Sequence, residues 1–392
     1  MKNRGSSINS RIPFFFTLLC AAVSSVQIAF AATITVMNTN DSGAGSLRQA
    51  LADANDGDSI NFDAALSGTI TLTSGELLVN DSITISGPGA NILAVDGNAA
   101  SRVFHISSGK TVTILGLTIR NGHDEIAGGG IYNDHGILTV SNCSVTGNSA
   151  TFGGGIQNDA RPGGSATVTI NRCTLSGNSA TFGGGVGNSG TLNVNNSTIS
   201  GNSASNSGGG IQNGEDFGIA TLIITNSTVS GNSATTVGGG ICNCSFFAGS
   251  NETLTIGETI LNAGPSGANI SNNGQGGTVT SLGYNLSSDD ASAFLNKTGD
   301  QNSTDPMLGS LQNNGGPTFT HALLPGSSAI DAGDPVHPAN DQRGLPRIVN
   351  ERIDIGAFEV QPIPTPIPTP TPTPTPTPAH PTPPPHPTPR PH

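Results

Sequence analysis

Four side chains in the middle of this 392-residue chain have types and spacings suited to acid–base chemistry: Asp134, His135, Asp159 and Arg161. Asp134 and Asp159 stand 25 residues apart, and Arg161 follows two residues after the second aspartate. Two opposed carboxylates are what glycoside hydrolysis needs, one to give a proton and one to attack or to activate water. Asp124, Glu125, Glu215 and Asp216 are the other acids of this region. The constellation is thin, and acids at the corners of a repeat are ordinarily solvated. The sequence therefore assigns no residue a catalytic, cofactor-binding or metal-binding role.

Whether Asp134 and Asp159 meet depends on the elements that carry them. The run Gly128-Gly129-Gly130-Ile131 returns with first glycines at 153, 183, 208 and 238. A second phrase, centred on Gly147-Asn148, returns at Gly177-Asn178, Gly201-Asn202 and Gly231-Asn232. The steps of the triplets are 25 or 30 residues and those of the second phrase 24 or 30, a period that marks stacked repeats. Aligned copies give apolar columns: Leu138, Val168, Leu192, Leu222 and Leu254, then Val140, Ile170, Val194, Ile224 and Ile256, then Val145, Leu175, Ile199, Val229 and Leu261. Within each copy the apolar positions alternate with Thr, Asn or Ser, which is strand periodicity. Each repeat is predicted to carry three short strands, around 131, 138–140 and 143–145, separated by corners rich in Gly and Asn, which tolerate left-handed backbone angles.

A coil of this length cannot hide its apolar side alone. Stacking solves this, because each strand pairs with its copy one coil on at roughly 4.8 Å. Asp134 and Asp159 then share one corner of adjacent coils. Asn148, Asn178, Asn202 and Asn232 are predicted to stack as an amide ladder, and Asn133, Asn158, Asn188, Asn213 and Asn243 as a second. The 30-residue steps hold a short insertion at one corner, near residues 161–164 and 215–217, and insertions at one corner line one side of a solenoid, where binding usually lives. The fold class expected is all-β: a right-handed parallel β-helix of about nine coils, roughly 40–45 Å long, with a short N-terminal capping helix.

The paired phrases resemble the GGAI and FxxN repeats of polymorphic outer-membrane proteins; here they read GGGI and SGNSA, without the Phe of the second motif. The architecture is similar to that of the pectin-lyase-like group, which implies polysaccharide lyase or glycoside hydrolase activity as one expectation. A lyase of that kind needs clustered acids for calcium and an Arg or Lys as base.

The ends read differently. Residues 1–31 have a secretory leader's layout: Lys2, Arg4 and Arg11, an apolar run over 12–23, and Ala29-Phe30-Ala31 as the cleavage site. Residues 32–65 are expected to cap the solenoid, with a helix over 46–54 in which Ser46 and Gln49 form a capping box; this region resembles the CSLREA-type N-terminal region of secreted bacterial repeat proteins, with Gly45 where that pattern has Cys. Asp53, Asn55, Asp56 and Asp58 lack the spacing of a calcium loop, so a turn is read there. The solenoid is expected over 66–286. Residues 287–360 resemble the choice-of-anchor Q region of secreted β-helix proteins, through Asn314-Gly315-Gly316-Pro317-Thr318, Ala329-Ile330-Asp331-Ala332-Gly333, Asp341-Gln342-Arg343-Gly344 and Asp354-Ile355-Gly356-Ala357-Phe358-Glu359. With Arg347, Glu351 and Arg352 they form a charged cluster, read as a salt-bridged cap. Residues 361–392 are a Thr-Pro tract, an extended spacer of nearly 100 Å at about 3.1 Å per residue; its His380, His386 and His392 are read as solvated.

Composition excludes more than it selects. The charge is −12, and 10% of residues are charged, so there is no basic face for nucleic acid. No segment after the leader is apolar enough to span a bilayer as a helix. Tryptophan is missing, and aromatics are 4% of residues, few for a sugar-binding cleft. Cys143 and Cys173 share one inward column, continued by Ser197, Ser227 and Thr259; a cross-coil disulfide and a ladder of small buried residues both fit. Cys242 and Cys244 alternate along a strand and are read as pointing apart. The expectation is a monomeric secreted or surface-displayed protein with an adhesion or structural envelope role, meeting envelope or extracellular glycans or neighbouring surfaces, with a carbohydrate-active enzyme as the alternative. No cofactor is assigned; calcium has no supporting motif.

Overall fold

The structure is a computed structural model describing residues 1–2, 31–214, 219–245, 251–272, 277–334, 339–347, 352–362 and 382. Nearly all of the expected leader and tail, with Glu215, Asp216 and Glu351, lie outside the described residues. Among the described residues the chain forms three long parallel sheets of ten, nine and eight strands, a four-stranded parallel sheet, and one antiparallel pair. A single coil shows the plan. Ile131–Asp134 lies in the eight-stranded sheet, Ile137–Ser141 in the ten-stranded, Ser144–Thr146 in the nine-stranded and Ser149–Phe152 in the four-stranded. Every one of these strands pairs in parallel with its copy in the next coil. The molecule is a parallel β-helix of about nine turns.

The columns stack as expected. Leu138 pairs with Val168, Leu192, Leu222 and Leu254 in succession, and Val140 with Ile170, Val194, Ile224 and Ile256. These side chains are buried and belong to one continuous core. In the five regular coils the corner after the strand of the ten-stranded sheet is one left-handed residue, Asn142, Asn196 and Asn226 at φ 52°, 47° and 50°, and Arg172 and Glu258 at φ 54°. Asparagine visits that region at low cost. Residue 143 and its equivalents belong to this corner, so the next strand begins one residue later than expected.

Three differences from the expectation stand out. The run 149–152, expected as a corner, is a strand; its copies Ser179–Phe182, Ser203–Ser207 and Ser233–Ala234 complete the fourth sheet. Second, the solenoid begins earlier than residue 66, because Thr33–Val36 and Ser59–Phe62 already form the first two rungs of the ten-stranded sheet. The helix, Leu47–Asp53, lies in the chain between these two rungs and buries Leu47, Ala50 and Leu51 in the open end of the core. Only half of its capping box forms: Ser46 Oγ accepts the Gln49 N–H at 3.2 Å, while the Gln49 amide turns to Asp53 at 2.8 Å. Third, residues 305–360 do not sit on the end of the rod. Ala291 and Leu295 close the end; the later chain runs back along the outer face of the nine-stranded sheet, where Thr174 donates to the Phe319 carbonyl, Thr198 to Gln342, and the Ala357 N–H to Thr228. A second small core, with Ile260, Leu286, Leu323, Ala329, Ile355 and Phe358, seals this contact.

Both asparagine ladders form. Each Nδ2 donates to the next Oδ1 at 2.9 Å along Asn148, Asn178, Asn202 and Asn232, and at 2.7–2.8 Å along Asn133, Asn158, Asn188, Asn213 and Asn243. In the first ladder each Oδ1 also accepts a backbone N–H, and each Nδ2 donates to a carbonyl. Asn178→Ala would therefore leave several buried groups of Asn148 and Val145 without partners, each worth about 1–3 kcal/mol. We expect a loss of roughly 3 kcal/mol or more, measured as a drop in the urea midpoint; a neutral outcome would mean the ladder contributes nothing to stability.

Candidate functional site

In the eight-stranded sheet Ile131 and Asn133 point inward, so Tyr132 and Asp134 point outward. The same alternation sends out His105 one coil earlier, and strand pairing aligns it with Tyr132 and Gln157. Asp134 and Asp159 are partners in register, as the repeat predicts. Arg161 lies against Asp159, Nε to Oδ1 at 2.8 Å, and the Tyr132 hydroxyl donates to Asp159 Oδ2 at 2.9 Å. His135 Nδ1 contacts Asp134 Oδ1 instead, so the two aspartates have separate partners.

Three residues that sequence reasoning passed over extend the site. Arg102 bridges Glu76 and Asp124 at 2.9 Å each, donates to the Ala127 carbonyl at 2.8 Å, and lies 4.8 Å from the Tyr132 ring centre. His105 Nδ1 contacts Glu76 Oε1 at 3.0 Å and its ring lies 5.1 Å from Tyr132. A strip of alternating charge thus runs across the coils from Asp124 through Arg102, Glu76 and Tyr132 to Asp159 and Arg161. The Phe152 and Phe182 rings, stacked at 5.3 Å, border it, with Arg161 over the first at 5.3 Å. Beyond Tyr132 its outward column continues as Gln157, Gly187, Gln212 and Cys242, all buried, and the strip closes.

Electrostatics decides what these groups can do. Burial pushes the Asp159 carboxyl up, but the Arg161 and Tyr132 hydrogen bonds outweigh it and hold the group below the usual carboxylate range. Burial raises the Tyr132 hydroxyl, and the Asp159 charge raises it further. The His105 hydrogen bond and the Arg102 charge lower Glu76 despite its partial burial. Asp159 is thus kept ionised and Tyr132 kept protonated. A catalytic acid needs the first condition reversed, and a catalytic base the second. The cleft bounded by Glu76, Arg102, His123, Asp124 and Glu125 measures about 280 Å³, just below the range of roughly 300–1,000 Å³ usual for small-molecule pockets. A larger cleft, about 450 Å³ beside Arg172 and Arg343, has no acid in its lining.

The remaining expected groups are dispersed. Asp58 accepts the Ala32 and Asn55 N–H groups, Asp56 pairs with Lys110 at 3.0 Å, and Asp53 holds Gln49. Among the described residues no three His, Cys, Asp or Glu side chains converge on a metal position. Cys143 and Cys173 are unbonded and buried; the Cys143 N–H meets Cys173 Sγ at 3.4 Å and the Cys173 N–H meets Ser197 Oγ at 3.1 Å, so Cys173 and Ser197 serve as the small acceptors of the corner column, while the Cys143 thiol faces the Ser141 carbonyl at 3.2 Å. The reading of Cys242 and Cys244 as pointing apart is corrected: they are disulfide-bonded, with Cα atoms 5.4 Å apart. Cys244 lies past the end of the strand Ile241–Asn243, where the pleat no longer dictates side-chain direction. No helix of the described residues is long and apolar enough to cross a membrane.

Fold and strip together define a parallel β-helix with an outer strip of paired charges. The sequence matches no family model and no curated protein. Among solved structures, the crystal structure of pectate lyase Pel9A is similar at 17% identity and a TM-score of 0.44, over 85% of this chain and 97% of that one.

Proposed function

We propose that this chain is a secreted or surface-displayed β-helix with an adhesive or structural role at the cell envelope, and that its outer strip is a contact face for glycans or neighbouring surfaces. The observation that carries this reading is the pairing of the strip's cations: Arg102 with Glu76 and Asp124, and Arg161 with Asp159. A lyase base must be free to take a proton, and these arginines are tied to carboxylates. The net charge of −12 also repels polyanionic substrates. The leader-like residues 1–31, the CSLREA-like and choice-of-anchor Q-like segments and the Thr-Pro tail support export and display.

The alternative, a pectate-lyase-like lyase or hydrolase, draws on Asp134 and Asp159 being coil neighbours with Arg161 alongside. One experiment separates the two. Purified protein incubated with polygalacturonate or alginate should release no unsaturated or reducing ends. Cleavage abolished by Asp134→Ala or Asp159→Ala would establish the enzyme. Under the reading preferred, Tyr132→Ala weakens retention on a glycan array while the circular dichroism spectrum of the coil stack is retained.

A further inference from the structure

The outer face of the ten-stranded sheet has the properties of a template. Its strands pair in parallel without a slip in register from Ser59–Phe62 to Thr253–Gly257. Inward positions are aliphatic, so alternation fixes what faces out. One outward column reads Thr111, Thr167, Thr191, Thr221, Thr253 and Thr278, interrupted by Ile137. The second reads Thr84, Thr113, Thr139, Thr169, Thr255 and Thr280, interrupted by Asn193 and Ile223. Neither column holds a charge, in a protein with 26 acids and 14 basic side chains.

Threonine suits an exposed pleated surface, which accounts for any one of these residues. It does not account for the exclusion of Lys, Glu and Arg from both columns, since charges are how exposed sheets usually stay apart from partners. The returning C-terminal segment makes its contacts on the nine-stranded sheet, at Thr174, Thr198 and Thr228, and not, among the described residues, on the threonine face. Within the two columns, among the described residues, one side-chain bond links neighbours, Thr253 Oγ1 to Thr221 Oγ1 at 3.3 Å. Among the described residues no other hydroxyl of the two columns bonds a protein group.

We propose that this face binds ice. The array repeats at about 4.8 Å across the coils and about 6.8 Å between alternate residues of a strand, and both spacings lie near oxygen–oxygen repeats on faces of hexagonal ice. Threonine is restricted at χ1, so its hydroxyls lose little freedom on contact. Each residue offers a hydroxyl to the lattice and a methyl to the trough between columns. An ionised side chain holds its own hydration shell strongly and would disrupt the ordered layer; the neutrality of the face matches a neutral solid.

The test uses the full chain and ice itself. Thermal hysteresis and inhibition of ice recrystallisation are measured for the wild type, for the paired substitution Thr139→Lys with Thr169→Lys, and for Thr235→Lys, an exposed threonine outside the sheet. The wild type and Thr235→Lys should shape ice; the double variant should return to the buffer baseline with an unchanged melting curve. Should the double variant misfold, adsorption of fluorescently labelled wild type to a single-crystal ice hemisphere decides the matter. Failure of the wild type to adsorb, or activity retained by a folded double variant, overturns the proposal. Loss of glycan binding in the double variant, with no ice activity in the wild type, would reassign the face. These positions lie on a different sheet from Tyr132, so the outcome is separable from that of the outer strip.

Discussion

Gly184→Ala is expected to destabilise the solenoid by more than about 4 kcal/mol, at the extreme of what single substitutions do. Gly184 is the middle glycine of its triplet. A methyl there would overlap the Ser203 carbonyl oxygen and lie 2.5 Å from the Gly209 carbonyl oxygen. Both obstacles are backbone. They are held by the coil-to-coil bonds Ser203 N–H to Asn178 O, Gly184 N–H to Gly208 O and Gly185 N–H to Gly209 O, at 2.9–3.1 Å. Relief requires moving the four-stranded sheet away from the turn, and Asn202, next to Ser203, would be drawn out of its ladder. The same clash recurs at Gly154 and Gly209, so the triplet persists because two backbone segments touch there. Gly177 is the control. Its φ is +62° and a Cβ would meet nothing within 4 Å, so Gly177→Ala pays only the left-handed strain of about 1–2 kcal/mol. Far-UV circular dichroism across a urea gradient compares the two. Equal midpoints would show that the triplets reflect turn conformation alone.

The periodic part of this molecule was legible because each coil solves the same burial problem. Leu138 and Val140 name their partners 30 residues on, and Asn148 names its ladder, because stacking forces like onto like. The register of Asp134 on Asp159 followed from the same repeat. What is not repeated was not legible. The strand Ser149–Phe152 is half-buried throughout and shows no apolar alternation, so it reads as a corner. Glu76, Arg102 and His105 belong to early coils whose phrases are irregular; their convergence on Tyr132 is set by the position of the outer face, which the motifs do not encode. The return of residues 305–360 along the nine-stranded sheet depends on contacts made once each, such as Gln342 with Thr174 and Thr198. Thr174, Thr198 and Thr228 stand at outward positions of a strand yet are buried beneath the returning segment, but threonine suits a solvated pleat equally well, so their identity did not announce a cover.

That returning segment is expected to be released when Arg347 is replaced, and to loosen on its own as pH rises. Arg347 is fully buried. It donates to Asn196 Oδ1 at 2.8 Å, to the Gly356 carbonyl at 2.7 Å and to the Asn226 carbonyl at 3.3 Å, and lies 4.0 Å from Glu359. Asn196 and Asn226 are the left-handed corner residues of two successive coils, so this one side chain fastens the segment to the solenoid. Arg347→Met leaves those acceptors and the nearby carboxyls without their cation, a loss of about 3–5 kcal/mol for a buried charge partner. Burial lifts Glu359 to about 8, with the Asp354 and Asp341 charges adding to it, and lifts Glu258 to about 7, with Asp334 adding. Both ordinarily titrate near 4.5. Folded values above unfolded ones mean that docking takes up protons. This contribution is complete below pH 4.5 and is lost as pH climbs through 7 and 8. Limited proteolysis within 305–360 should therefore quicken from mildly acidic to mildly alkaline buffer while the solenoid's circular dichroism holds steady. Glu359→Gln, which keeps the shape and removes the charge, should flatten the pH response and slow cleavage on the alkaline side, whereas Arg347→Met should be cut rapidly throughout. Cleavage of the wild type that is independent of pH, or unaffected by Glu359→Gln, would mean that these carboxyls do not govern the docking.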